Sequence, residues 1–192
     1  LDIYQGDFLL ITGPNGGGKT SLLRTILRLQ SPTKGRISFF RQGEPVSSLD
    51  MGYLPQKNSI DSRFPITVEE VVASGLMGNT QKGNTKFDSK KEIDEMLDLM
   101  GITALRNKPI GVLSGGQLQR SLFGRALISK PEMLILDEPA SYIDRQFGNR
   151  MFEILRDLSS NGTTIMMVSH EIEPFITLSN RNLYINHILG DR

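Results

Sequence analysis

Short unbroken apolar runs alternate along this chain with longer stretches in which apolar residues recur every three or four positions. Phe8-Leu9-Leu10-Ile11, Met133-Leu134-Ile135-Leu136 and the stretch Thr163 to Val168 are of the first kind, expected for strands buried on both faces of a sheet. The second kind begins at about Lys19 and runs to Leu29, with Leu22, Leu23, Ile26 and Leu27 as its inward stripe. Ile93, Met96, Leu97 and Met100 mark another such helix, with capping-box spacing at Ser89-Lys90-Lys91-Glu92 before it and Gly101 as its terminator. Leu118, Leu122, Ala126 and Leu127 outline a third. Met151, Ile154, Leu155 and Leu158 outline a fourth that ends near Gly162. Arg36 to Phe40 and Gly52 to Leu54 read as short edge strands, set off by the turn residues 31–35. Strands alternating with helices predict an α/β fold with a mainly parallel sheet and right-handed crossovers. The pattern turns helical and polar at about 57–130, which reads as a helical insertion between core segments 1–56 and 131–192; residues 78–84 look least ordered. Leu1-Asp2-Ile3 leads almost directly into a buried strand, so the chain is read as lacking its first strands.

Composition narrows the function classes. The 192 residues suit one domain. The 22 basic and 21 acidic residues leave a net charge of +1 with no dominant basic stripe, so nucleic acid is not an expected partner. With no cysteine, disulfides and thiolate metal sites are excluded. No apolar run reaches the roughly 18 residues needed to span a bilayer, and no signal segment opens the chain. Any work at a membrane would need other subunits to cross it.

Three motifs carry chemistry. Gly13-Pro14-Asn15-Gly16-Gly17-Gly18-Lys19-Thr20 matches G-x-x-x-x-G-K-[ST], between a predicted strand and a predicted helix. Its glycines let successive backbone N–H groups converge on a phosphate at the positive helix end. Lys19 is expected to bridge β- and γ-phosphates, and the Thr20 hydroxyl to ligate Mg²⁺. Asp137-Glu138 follows an apolar strand, at the strand end where open α/β sheets bind ligands. Asp137 is placed to hold Mg²⁺ and Glu138 to orient the attacking water. Leu113-Ser114-Gly115-Gly116-Gln117 supplies a helix cap followed by exposed amides, a second anion site. Two phosphate cradles about a hundred residues apart are economical if each serves a different ATP across a dimer interface.

These motifs, in this order, resemble the ABC ATPase family over essentially the whole chain. Ser114, Gly115, Gly116 and Gln117 are similar to its signature, and Gly13–Thr20 with Asp137-Glu138 to its two Walker motifs. The resemblance implies a P-loop core with a small antiparallel β element and an inserted helical subdomain. It also implies nucleotide contacts from Gly13 to Ser21, Gln56 as the Q-loop glutamine touching Mg²⁺, Asp144 as the D-loop aspartate after Ile143, and His170 as the switch histidine on the γ-phosphate. Lys19, Glu138 and His170 would then be the catalytic set; Thr20, Gln56 and Asp137 would be the metal contacts. ATP and Mg²⁺ follow as cofactors. A head-to-tail homodimer with ATP at its interface follows as the working state.

The run from Gln56 to Val72, with Phe64-Pro65-Ile66-Thr67-Val68 as its telling part, resembles ATPase subunits of bacterial zinc and manganese importers. That implies integral membrane permease partners, an extracytoplasmic metal-binding protein in the same system, and a place on the cytoplasmic face of the cell membrane. A soluble ABC ATPase, such as one of iron–sulfur cluster assembly, is the alternative. The family stacks adenine on an aromatic residue; Tyr4 lies too close to the phosphate loop for that part, and no adenine platform is assigned.

Overall fold

The computed structural model describes residues 1–56, 64–77, 86–170 (side chains from 89), 173 and 175–186. In chain order the elements are β1 (Phe8–Thr12), α1 (Lys19–Ile26), β2 (Phe39–Arg41), β3 (Glu44–Val46), β4 (Met51–Leu54), α2 (Val68–Ser74), α3 (Lys86–Leu99), α4 (Gly115–Leu127), β5 (Met133–Asp137), α5 (Arg145–Ser160), β6 (Thr164–Val168) and β7 (Arg181–Tyr184). Five strands form one parallel sheet in the order β4-β5-β6-β1-β7, while β2 and β3 form a separate antiparallel hairpin. This is the α/β architecture expected, small antiparallel element included.

The two-residue period of a strand sorts the core into two layers. Phe8, Leu10, Leu134, Leu136, Ile165 and Met167 face one side, where they meet Leu122 and Phe123 of α4 and Met151 and Leu155 of α5. Leu9, Ile11, Met133, Ile135, Met166 and Val168 face the other, against Leu23 and Ile26 of α1. Strands covered on both faces must be apolar at every position, which is why β1, β5 and β6 read as unbroken runs. Each fully buried side chain of this kind contributes about 1.5–3 kcal/mol. The first layer continues without interruption into Val68, Val72, Leu97 and Met100 of the helical segment.

Several boundaries differ from the sequence reading for identifiable reasons. Helix α1 stops at Ile26 rather than Leu29, because Arg28 turns left-handed (φ 58°) and the Leu29 N–H bonds back to Arg24 O at 2.9 Å. Leu29 is consequently exposed. Ser89 does not cap α3, which is already helical at Lys86; the reciprocal caps are Thr67 with Glu70 ahead of α2 and Ser114 with Gln117 ahead of α4. Gly101 does end α3, with φ 65° and the Ile102 N–H on Leu97 O at 3.0 Å. Strand β3, absent from the sequence reading, is set by the left-handed pair Gln42 (φ 54°) and Gly43 (φ 85°), a two-residue hairpin turn. Strand β7 also went unread: it is a four-residue edge strand with alternating exposure. The segments 57–63 and 78–84, the first within the run resembling metal importers, lie outside the described residues.

Asp7 ties the two ends of this chain together. Its carboxylate accepts from the Tyr4 N–H (2.9 Å), from Arg181 Nη1 (2.6 Å) and from Asn180 Nδ2 (3.5 Å). Burial works to raise its pKa, but those hydrogen bonds and the Arg181 charge outweigh it and hold the carboxyl below the ordinary range. A lowered carboxyl stabilises the fold above its unfolded pKa, and that stability is lost as pH falls through the folded value. Asp7→Asn is therefore expected to destabilise the protein by about 1–3 kcal/mol near neutrality. The difference from wild type should shrink in acid, read as thermal midpoints across a pH series.

Candidate functional site

In a parallel sheet all strands end on the same edge, so the residues that follow β1, β4, β5 and β6 are brought together. After β1 comes the glycine loop. Gly13 adopts φ 140°, and a Cβ there would lie 1.9 Å from Ile185 O, so that backbone and that packing admit only glycine. Gly18 is the N-cap of α1 and has no side chain to offer, which leaves the first-turn N–H groups of the helix free for an anion. Lys19 is buried, with Nζ donating to Gly13 O and Pro14 O at 2.8 Å each. Two of its three N–H bonds thus hold the loop, and the third is free to point outward.

The carboxylates follow β5. Asp137, 2% exposed, accepts a hydrogen bond from Thr20 Oγ1 at 3.1 Å, joining the strand end to the first turn of α1. Burial raises its pKa most; the Thr20 bond opposes this, the neighbouring Glu138 charge adds to it, and Lys19 and Arg24 offset part. Glu138 takes a left-handed backbone (φ 53°), uncommon for a side-chain-bearing residue and costing about 1–3 kcal/mol. Its N–H extends the ladder to Val168 O at 2.9 Å. One carboxylate oxygen accepts from Gln56 Nε2 at 3.3 Å, from beyond β4; the other lies 3.1 Å from His170 Nε2, beyond β6. Gln56, Glu138 and His170, separated by up to 114 positions in sequence, thus meet as one group of polar contacts.

The second cradle opens α4. Ser114 Oγ accepts from the Gln117 N–H at 3.3 Å, and Gln117 Oε1 accepts from the Ser114 N–H at 2.9 Å. A Cβ on Gly116 would sit 2.9 Å from Tyr142 O, so glycine there lets the Tyr142 backbone close against the helix. Among the described residues no hydrogen bond or ion pair links 114–117 to 13–20. Asp144, expected among the nucleotide contacts, is the N-cap residue of α5. Its carboxylate caps α5 by accepting from the Phe147 N–H at 3.0 Å, and it pairs with Arg120; both interactions lower its pKa, the cap most. Ser21 is exposed on the first turn of α1, with its carbonyl taken by Thr25 Oγ1.

Two residues escaped the sequence reading. Gln119 is 1% exposed and donates through Nε2 to Pro139 O at 3.1 Å. Arg120 pairs with Asp144 and lies 4.5 Å above the Phe147 ring. Gln119 had a signal: it stands in line with Leu122, Phe123 and Ala126 on the inward stripe of α4, where an amide is out of place.

Phosphate-directed amides, an ammonium, a hydroxyl–carboxylate pair and a carboxylate held between an amide and an imidazole suit a nucleotide triphosphate and attack by water. The donors around Asp137 are all oxygen or amide, a set that fits Mg²⁺. Among the described residues no group of three or more His, Cys, Asp or Glu forms a metal cage.

Comparison with known proteins agrees with this chemistry. Residues 1–141 match the ABC transporter family. A probable metal transport system ATP-binding protein of Chlamydia pneumoniae is 40% identical over 193 residues, covering 98% of this chain and 78% of that protein. The zinc uptake system ATP-binding protein ZurA of Listeria monocytogenes is 37% identical over 197 residues, covering 99% and 74%. The ATP-binding cassette MJ0796, solved as a dimer in a post-hydrolysis state bound to ADP and Pi, superposes with a TM-score of 0.82 at 26% identity, covering 97% of this chain and 84% of the cassette.

Proposed function

The chain belongs to the ABC transporter family, and from that premise we propose that it is the ATP-hydrolysing subunit of a transporter that takes up a divalent metal ion. The observation that supports this most is the meeting of Gln56, Glu138 and His170 beside the phosphate loop. In this reading residues 13–18 and the first turn of α1 cradle the triphosphate, and Lys19 turns its free N–H toward the β- and γ-phosphates. Thr20, Asp137 and Gln56 would hold Mg²⁺, which supplies charge neutralisation to the phosphate oxygens when bound. Glu138 orients and polarises the attacking water, and His170 contacts the γ-phosphate.

Ser114, Gly115, Gly116 and Gln117 would close over the ATP held by a second copy, arranged head to tail. Neither surface alone surrounds the charge, so ATP favours the closed dimer and its hydrolysis releases it. Asp144 joins that interface as the cap that fixes where the segment before α5 stands. The helical segment 57–130 carries the face toward an integral membrane permease, between core segments 1–56 and 131–192. No helix among the described residues is long and apolar enough to cross a membrane. A peripheral position on the cytoplasmic face is part of this proposal and rests on the transport systems to which the relatives belong. Zinc as cargo is supported by the relatives, among them a zinc uptake and a zinc import ATP-binding protein, and manganese by the sequence resemblance alone; the ion would be delivered by an extracytoplasmic binding protein and need never touch this chain.

Affinity capture of the subunit from native membranes, followed by vesicle uptake assays with zinc and manganese, tests the reading. A polytopic partner and ATP-dependent accumulation of either ion are expected. Capture of soluble partners alone would replace transport by a soluble assembly role.

A further inference from the structure

We infer that Gln119 is a positioning residue for Glu138: its buried amide holds the Pro139 carbonyl, and with it the left-handed backbone that aims the Glu138 carboxylate at Gln56 and His170. The inference rests on the catalytic reading of Glu138 given above. The segment from Glu138 to Tyr142 begins and ends on left-handed, side-chain-bearing residues (φ 53° and 67°). Its own backbone bonds are long, Ser141 N–H to Glu138 O and Ile143 N–H to Ala140 O both at 3.3 Å. A strained conformation persists where the surroundings over-determine it. Here a brace comes from α4, twenty residues earlier in the chain, as the 3.1 Å bond from Gln119 Nε2 to Pro139 O.

The other half of the same amide is unsatisfied. Gln119 Oε1 is buried and has no hydrogen-bond partner among the described residues. A leucine or methionine on this stripe would carry no buried Oε1 but would leave Pro139 O unpaired, so what the amide adds at this position is the one hydrogen bond it donates. The neighbouring contacts fix the rest of the segment to the same helix. Gly116 lies against Tyr142 O, and Arg120 holds Asp144, so the first two turns of α4 meet this segment at its start, its end and the cap beyond. A displacement of about 1 Å in a reacting group costs on the order of a hundredfold in rate, which sets the scale for losing the brace.

Gln119→Met, Gln119→His and Glu138→Gln, each in the subunit assembled with its membrane partners, test this by ATPase kinetics and thermal unfolding. Gln119→Met is expected to lower kcat at least about tenfold with KM for ATP within about twofold. Its thermal midpoint should stay within about 2 °C of wild type, because one unpaired acceptor, Oε1, is exchanged for another, Pro139 O. Gln119→His keeps an N–H donor at comparable reach and should restore kcat to within about threefold. Undiminished kcat in Gln119→Met, a histidine variant as slow as the methionine one, or a kcat loss accompanied by a drop of more than about 5 °C would each overturn the inference. If Glu138→Gln itself turns over normally, the catalytic reading fails; if it is inactive while Gln119→Met is fully active, only the role of Gln119 fails.

Discussion

Glu138→Gln is expected to lower kcat for ATP hydrolysis by about 10²–10⁴-fold, the range contributed by a positioned acid–base group. The substitution is nearly isosteric. The backbone N–H to Val168 O bond is untouched, and the amide oxygen can still accept from Gln56 or His170. What goes is the negative charge proposed to orient and polarise water. In the proposed reading ATP binding uses the loop at 13–20 and the amides of α1, so affinity for ATP should change by less than about threefold. Under the proposed cycle, in which hydrolysis releases the closed dimer, the variant should accumulate as an ATP-bound dimer. Phosphate release measured beside size-exclusion chromatography with ATP reads both effects. Unchanged turnover would remove Glu138 from its role.

Ser114→Arg carries the second largest expected effect: hydrolysis falls to a few per cent while the monomer still binds nucleotide within about twofold of wild type. Ser114 is exposed at the mouth of the second cradle. A long cationic side chain there obstructs a facing copy without entering the chain's own phosphate loop. The local cost is bounded. Losing the cap removes about 0.5–2 kcal/mol and a cation at a helix N-terminus about 0.3–1 kcal/mol more, against a typical total stability of about 5–15 kcal/mol. Ser114→Ala separates the two contributions, since it removes the cap but adds no obstruction. Comparable inactivity in both variants would assign the effect to α4 folding rather than to dimer closure.

What could be read from the sequence was whatever local pattern encodes. Phe8–Ile11 and Met133–Leu136 announce buried strands because both faces are covered. The spacing from Gly13 to Thr20 and the cap at Ser114 announce helix ends that bind anions. Glu138 was identifiable by its place after a strand, and Gln56 and His170 through the family resemblance, although that they touch one another depends on the strand order β4-β5-β6. Features created by tertiary contact were not legible. Strand β7 is polar and short, and its pairing comes from β1 rather than from its own residues. The left-handed turns at Glu138 and Tyr142 occur at residues with no local preference for them. Asp144 shows the same limit: its sequence position carried no sign that its carboxylate would be engaged by Phe147 and Arg120.

The placement of β1 between β6 and β7 has a consequence for how the molecule is made. About 150 residues separate the end of β1 from the start of β6. At a synthesis rate of about 5–20 residues per second, the strand waits on the order of ten to thirty seconds for its first partner. Its apolar row is meanwhile an open edge of high β-propensity, the kind of segment that aggregates unless shielded. The phosphate loop is completed later still, when the Ile185 carbonyl arrives against Gly13 and Gly17. Nucleotide therefore meets a complete loop only after β7 is in place, and its stabilising effect falls on the docking of β6 and β7 onto a strand made earlier.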